Sequence, residues 1–551
     1  MPGQNRIDRS AGAGAPDERA EVLRIIMDNE TNGTFSHVLV REALDRRTDL
    51  PPARRAFIKR LAEGTIERKL ELDAIISEHL KDPGMKLRPV IRCILRMGVY
   101  QILYMDSVPA SAACSEAVLL TKKRKMAQLS GFVNGVLRSI ARDAEAGRYA
   151  ASISGTEDAP ATEPAAEFAH SEMTNALASE AGTENPVKRL SLQYSMPEAI
   201  TSLWMEQYGE EQTEKLLASL LEIRPVTIRM RPDSEEEERR ALAESLEKAG
   251  VRVERGLYLP YAFRLFGAGN LRDLPGYSDG LWTVQDESSM LAVEAAGIPA
   301  LSRSSSLNKS ALRIVDVCAA PGGKSLLAAQ LLSVGPAVDQ ENTFSANSNS
   351  NNSANEPTAS AGEVFSYDLT SKKTARIREN AERLGVKNIH VAEKDALVFD
   401  PELTESADVL LCDLPCSGLG VIGKKRDIKY RVTGSDMEQL ADLQRQILTN
   451  VVRYLKPGGV LIYSTCTIDP AENEENAKFI EEQLGLTPDD LRQHLPSDVF
   501  DAREASDREE CEGEVPDKEA RGEEKITELQ LLPHIHGTDG FFISRFIKRD
   551  E

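Results

Sequence analysis

From Thr283 onward the chain alternates short apolar runs with helix-patterned stretches, and no other feature narrows its possible folds as much. "LRIVDVCAA", "EVFSYDL", "NIHVAEKDA", "ADVLLCDLP" and "GVLIYSTC" read as strands. "GGKSLLAAQLL", "SKKTARIRENAERLG" and Ser435–Leu455 read as helices between them. Apolar strands joined by helices specify a mostly parallel, doubly wound α/β sheet covered on both faces. Such sheets take ligands outside the carboxyl ends of their strands, so the residues just past each strand should carry the chemistry.

The first strand runs into "DVCAAPGGKS", Asp316–Ser325. Ala319, Ala320, Gly322 and Gly323 would let a ligand approach the backbone where a helix begins. Neither GxxxxGK[ST] nor GxGxxG spacing is present, so the loop suits either a tight turn or a ligand without phosphates. The second strand ends at Asp368, 45 residues after Gly323; without the Asn/Ser-rich stretch 336–362 the separation falls to 18. That is close to the ~20 expected of an acid that binds ribose hydroxyls. Asp395 and Asp413 end the next two strands. Each aspartate alone is more often a helix cap or turn residue than a ligand contact. Three at successive strand ends point to a nucleoside-bearing, phosphate-free cofactor, S-adenosyl-L-methionine. Two cysteines, Cys416 in "DLPCSGLG" and Cys466 in "YSTCTIDP", close neighbouring strands. Either is a candidate nucleophile, since a thiolate attacks well once its pKa is lowered, though buried cysteines are commonly inert. Asp469-Pro470 is expected to cap the following helix, whose N-terminus would favour a Cys466 thiolate. The residues themselves leave the choice between the two sulfurs open.

The remainder of the chain has a different character. Residues 16–145 show helical spacing throughout, as in "ERAEVLRIIMDNE" and "RPVIRCILRMGVYQILYM", with Pro89 suited to a first helical turn. Residues 146–190 are rich in Ala, Ser, Thr, Glu and Pro and are expected to form a disordered acidic linker. Residues 191–280 read as a small α+β domain, and 281–551 as the α/β domain, with a disordered insertion at 336–362 and an acidic loop at 501–525. The net charge of −21 weighs against nucleic acid as a partner, but it is concentrated in a few segments. Residues 151–187 hold seven acids and no Lys or Arg, 336–363 hold four acids, and 501–525 carry a net of −6. "KKRK" (122–125), "KRL" (188–190) and "GKKRDIKYR" (423–431) remain as candidate basic faces. Seven cysteines without CxxC pairs or zinc spacing indicate reduced thiols and no metal. With no apolar run of membrane length and no secretory signal, a cytoplasmic location is expected; the chain is separately expected to be a monomer.

"DVCAAPGGKS", "DLPCSGLG", "YSTCT" and the tail "LLPHIHGTDGFF" together resemble the RNA cytosine-C5 methyltransferases of the NOL1/NOP2/sun family. "VPASAACSEAV" and "GFVNGVLR" resemble a NusB-like RNA-binding domain. The resemblance covers nearly the whole chain apart from the acidic linkers and the insertion. It implies an all-α N-terminal domain and a Rossmann-like methyltransferase domain, with small-subunit (16S) ribosomal RNA as substrate. It further implies that Cys318, Ala319, Ala320, Pro321, Gly322, Gly323, Lys324, Asp368, Asp395 and Asp413 contact S-adenosyl-L-methionine. The nucleophile would be Cys466, of the Thr-Cys motif, and Cys416, of the Pro-Cys motif, would help release the product. Asp413 would hold the cytosine edge and Lys324 steady the base. Leu414 stands where Ala is usual, Arg426 where Pro is frequent and Tyr430 where Trp is frequent, departures that bear on substrate contacts rather than on reacting groups. Two competing readings are a non-catalytic RNA-binding assembly factor that keeps the fold, and a thiol-redox protein using Cys412 and Cys416.

Overall fold

The computed structural model describes residues 17–149, 185–307, 311–333, 362–502 and 525–550. Most of the expected linker at 146–190, all of the insertion at 336–362 except Gly362, and all of the acidic loop at 501–525 except its ends lie outside the described residues. The described chain forms two compact units. One comprises the residues up to Leu217 together with Lys425–Arg431; the other comprises Ala218–Lys424 and the residues from Val432 on. Residues 191–280, read from the sequence as one domain, are therefore divided between them.

The first unit is helical: α1 (Glu18–Asn32), α2 (Ser36–Asp45), α3 (Pro52–Glu67), α4 (Lys69–Glu78), α5 (Pro89–Tyr104), α6 (Ala110–Lys123), α7 (Ser130–Glu145) and α8 (Pro186–Gln193). A further helical stretch, α9 (Glu198–Leu221), whose last four residues belong to the second unit, breaks at Gly209 into two helices. Pro89 opens α5, and nearly every side chain from Val90 to Leu103 is buried. Each large apolar side chain buried there contributes about 1.5–3 kcal/mol. Lys425–Arg431 belongs to this unit as an anchor. Asp427 accepts from Ser36 N and Oγ at 3.1 and 2.7 Å and from Asn29 Nδ2 at 2.8 Å. It thereby places a carboxylate at the start of α2, whose preceding residue, Phe35, offers no side-chain cap. Arg426 pairs with Glu67 at 2.7 Å, Tyr430 donates to the Glu67 carbonyl, and Arg431 donates to the carbonyls of Gly33 and Thr34. Lys429 is fully buried, and loss of water lowers its ammonium to about 8. The stretch expected to be a basic face is thus mostly consumed in packing, and the two unusual residues Arg426 and Tyr430 serve that anchor. In the other basic candidates Lys123 pairs with Asp17, and Arg189 with Glu210 and Glu214, while Lys122, Arg124 and Lys125 stay exposed.

The second unit contains two sheets. The smaller, antiparallel one has the order β2–β3–β1–β4, from β1 (Val226–Arg229), β2 (Arg252–Arg255), β3 (Ala262–Phe266) and β4 (Thr283–Val284), with α10 (Glu236–Lys248) against it. Thr283 therefore closes this small sheet, and the parallel sheet starts at Leu312. The larger sheet uses β5 (Leu312–Asp316), β6 (Gly362–Asp368), β7 (Ile389–Glu393), β8 (Ala407–Asp413), β9 (Leu455–Thr465), β10 (Thr487–Pro488), β11 (Glu528–Leu531) and β12 (Phe541–Ile547). Its order is β10–β12–β9–β8–β5–β6–β7, with β11 also pairing with β12. β5 to β9 run parallel, and β12 adds antiparallel to β9.

Both faces of this sheet are covered. Ile314, Val409, Leu411, Val460 and Ile462 pack with α11 (Glu287–Glu294) and, beyond α12 (Ile298–Leu307), with α13 (Gly323–Ser333). α14 (Ser371–Arg383) links β6 to β7. The alternate residues Val315, Leu410, Cys412, Leu461 and Tyr463 pack against α15 (Gly434–Val451) and α16 (Glu474–Glu482). Double coverage explains why the strands read as continuous apolar runs. It also sets the positions of the strand ends, where the polar residues gather.

Candidate active site

The order β8–β5–β6 makes β5 the switch point of the sheet, and its loop forms one wall of the site. Gly322, at φ +104°, turns the chain into α13 in a conformation that a side chain would strain. Asp368, buried at the end of β6, ties the loop down: it accepts from Ala320 N at 2.9 Å and Leu369 N at 2.7 Å and pairs with Lys373 at 2.8 Å. Ala319 N donates to the Tyr367 carbonyl at 2.9 Å. Asp316, at the base, takes the Ser325 hydroxyl at 2.6 Å, and burial raises its carboxyl to about 7. Burial, with the charges of Asp316, Asp368 and Asp413, pushes the Cys318 thiol far above its usual range.

On this side the surface is open. Asp395 is exposed and accepts from Leu397 N at 2.9 Å. Leu369 and Leu397 are 59% and 44% exposed. A cavity of about 380 Å³ adjoins Asp395, lined by Tyr367, Lys394, Phe399 and Tyr454 among others.

The opposite wall, past β8 and β9, is dense. Asp413 pairs with Lys324 at 2.8 Å and accepts from Ser464 Oγ at 3.1 Å. The Lys324 ammonium also lies over the Phe541 ring, 4.9 Å from its centre. Just beyond Asp413 and Ser464, the half-buried Cys416 and Cys466 bring their sulfurs to 3.3 Å, a hydrogen-bond contact well beyond the ~2.05 Å of a disulfide. The hydrogen bond to Cys466, burial, and the carboxylates of Glu472 and Asp413 hold the Cys416 thiol well above its usual range. Cys412 points instead into the apolar core.

A lattice of buried polar groups holds the two cysteine-bearing turns together. Ser417 Oγ meets Thr467 Oγ1 at 2.6 Å, and Gly420 N donates to the Cys466 carbonyl at 3.1 Å. Asn473 accepts from Thr465 Oγ1 at 2.5 Å and donates to the Thr467 carbonyl at 3.1 Å. Gly540 N donates to the Gly420 carbonyl at 2.9 Å, an approach so close that a Cβ on Gly420 would stand 1.9 Å from the Gly540 oxygen. Lys424 bridges Asp286 and Asp539 at 2.6 and 2.8 Å and fixes the far end of the loop to the tail.

The site thus joins Cys416 to Cys466 and Lys324 to Asp413, and it places Asp368 and Asp395 along the open side. Glu472, Asn473, Gln444 and Phe541 were missed as individual residues; the acidic run "AENEEN" after Cys466, unusual in a buried turn, was the available signal. The helix after Cys466 begins at Glu474 rather than at Asp469-Pro470, because Asp469 accepts from Ala471 N within the preceding turn.

Comparisons with known proteins agree along the chain. Residues 16–142 match the NusB family model and residues 353–547 the model of the 16S rRNA methyltransferase RsmB/F. The probable ribosomal RNA small subunit methyltransferase B of Bacillus subtilis is 30% identical over 530 residues, 96% of this chain and 98% of its own length. That of Synechocystis sp. is 30% identical, covering 95% and 98%. The ribosomal RNA small subunit methyltransferase B of Klebsiella pneumoniae is 28% identical, covering 90% of each chain. The crystal structure of PH0851 has the same fold, with a TM-score of 0.63 at 21% identity over 97% of this chain and 99% of that one.

Proposed function

Since the chain belongs to the ribosomal RNA small subunit methyltransferase B family, we propose that it methylates carbon 5 of a cytosine in 16S ribosomal RNA through a covalent Cys466 adduct. The observation that carries this reading is the thiol pair, two half-buried sulfurs 3.3 Å apart beside the Asp413–Lys324 pair. In an intact ring C5 is a weak nucleophile. Addition of the Cys466 thiolate to C6 breaks the C5–C6 double bond and moves electron density onto C5. S-adenosyl-L-methionine supplies the electrophilic methyl group that C5 accepts. Asp413 holds the cytosine edge, and Lys324 steadies the charge that develops there. Loss of the C5 proton and breakage of the sulfur–C6 bond then restore the double bond, with Cys416 assisting as acid or base.

The residues of the open side fit the methyl donor. Gly322 and Gly323 leave the loop without side chains, Asp368 and Asp395 offer carboxylates for hydroxyl and amino groups, and Leu369 and Leu397 present apolar surface suited to a flat ring. A base reaches the thiols only when unstacked, so the target is an exposed or extruded nucleotide. The NusB-like helical unit serves to grip the RNA. The working form is a cytoplasmic monomer, a point that sedimentation and fractionation can check.

Bisulfite sequencing of small-subunit RNA with and without the protein tests the reaction: one protected cytosine that depends on the protein is expected. Cys466→Ala should lose both methyl transfer, by roughly a thousandfold or more, and any covalent enzyme–RNA complex. Cys416→Ala should instead accumulate that complex on denaturing gels. The opposite pattern would exchange the roles of the two sulfurs.

A further inference from the structure

One carboxylate beside the thiol pair has no part in the reaction above. Glu472 is fully buried in the turn between β9 and α16. Ser417 N donates to both of its oxygens, at 3.2 and 3.0 Å. Gln444 Nε2 donates to Oε2 at 2.7 Å and to the Pro415 carbonyl at 2.8 Å. The peptide groups on either side of Cys416 are therefore tied to Glu472 or to its hydrogen-bonded partner. The residues flanking Cys466 are held by neutral groups: Thr465 by Asn473, and Thr467 by Ser417 and Asn473.

Two sulfurs at hydrogen-bond distance that retain one proton must place it on one of them. A negative charge beside one thiol raises the cost of ionising that thiol. We propose that Glu472 is the positioning residue that keeps the shared proton on Cys416, so that Cys466 is the sulfur left as thiolate. When the pair loses one proton to solvent, the S–H bond that breaks is that of Cys466, and its electron pair stays on that sulfur. The remaining hydrogen stays bonded to Cys416 and points across to the thiolate.

The titratable groups facing Glu472 are Cys416 on the β8 loop, Tyr463 on β9, Asp469 in its own turn and, beyond Asp469, Glu475 on α16. Burial first, then the charge of Asp469, raises the Glu472 carboxyl to about 7. The steering charge is therefore present above about that pH and lost below it.

The inference rests on the proposed reading only for which sulfur attacks; the proton's location can be measured without RNA or methyl donor. The full-length protein is treated with iodoacetamide from pH 6 to 9, and alkylation of the Cys466 and Cys416 peptides is followed by mass spectrometry. Wild type should favour Cys466 by about tenfold or more above pH 7, with the preference shrinking below it. Glu472→Gln keeps the size but removes the charge, and should cut the preference about tenfold and remove its pH dependence. Asp469→Asn should shift the appearance of the preference to lower pH, because it removes the charge that holds the Glu472 carboxyl up. An unchanged ratio in Glu472→Gln, or Cys416 reacting first in wild type, overturns the assignment. If Glu472→Gln fails to fold by circular dichroism, Asp469→Asn decides, and an unshifted profile overturns it. The stated preference without any methylated cytosine would support the proton assignment and sink the proposed reaction instead.

Discussion

The carboxyl end of one sheet serves two opposite purposes. Past β6 and β7 the chain leaves apolar side chains open to solvent, with Val398 65% exposed and Leu369 59%. Past β8 and β9, Gln444, Thr465, Thr467, Glu472, Asn473 and Asn476 are all fully buried and joined by hydrogen bonds. The open half leaves room for a large flat ligand. The closed half fixes two sulfurs at contact distance, which needs a lattice in which no member is free to turn. A rigidly held thiol pair and an open apolar surface are thus assigned to different pairs of strands.

The contrast can be tested by damaging each half in turn. On the closed side, Asn473→Ala strips partners from Thr465 Oγ1, the Thr467 carbonyl and Gln530 Oε1. Buried groups left unpaired cost about 1–3 kcal/mol each, so a loss of roughly 3 kcal/mol in urea unfolding is expected, with at least a tenfold fall in methyl transfer. Stability within about 0.5 kcal/mol of wild type would mean the lattice is not rigid. On the open side, Asp368→Asn keeps an acceptor for Ala320 N but loses the ion pair with Lys373. It should raise the KM for the methyl donor about tenfold while kcat changes less.

At the boundary between the halves, Asp316 yields a pH effect. Its folded carboxyl sits at about 7, against an ordinary 3.8, because of burial. Between those values the native chain holds a proton that the unfolded chain has released, so stability falls as pH rises from about 4 to about 7. Asp316→Asn, followed by thermal melts across that range, should flatten the decline; an equally steep decline would show that Asp316 is not its source. The smallest effect is expected at Leu397→Ala: stability within about 0.5 kcal/mol, and donor affinity weakened only a few-fold in calorimetric titration. A large stability loss there would show that this side is not open.

Much of the site was legible because its chemistry is local to each strand end. Asp368, Asp395, Asp413, Cys416 and Cys466 each follow an apolar run, and the alternation that makes a parallel sheet gathers such ends on one edge. The motif resemblance read from the same residues agrees with the relatives that match from end to end. "GKKRDIKYR" was read as surface charge, since nothing near it in sequence shows that Asp427 caps a helix starting at Ser36, 391 positions away. Thr283-Val284 was assigned to the α/β half because its pairing with Arg229 and Ile228 is equally invisible to local pattern. Glu472 has no reading of its own in the sequence, because the groups that grip it, Ser417 N and Gln444, lie 55 and 28 positions away.

The sequence by itself determined the elements, their alternation and which polar residues and cysteines stand at their ends, because periodicity and turn chemistry act over a few neighbouring residues. Only the tertiary structure decided that Cys416 meets Cys466 rather than Cys412, and that a buried carboxylate grips the peptide beside one sulfur. The physical reason is that burial and partner choice depend on what distant segments bring to the same place. The same four-residue separation that put Cys412 and Cys416 together in the sequence leaves Cys412 in the core and Cys416 in the turn beyond the strand.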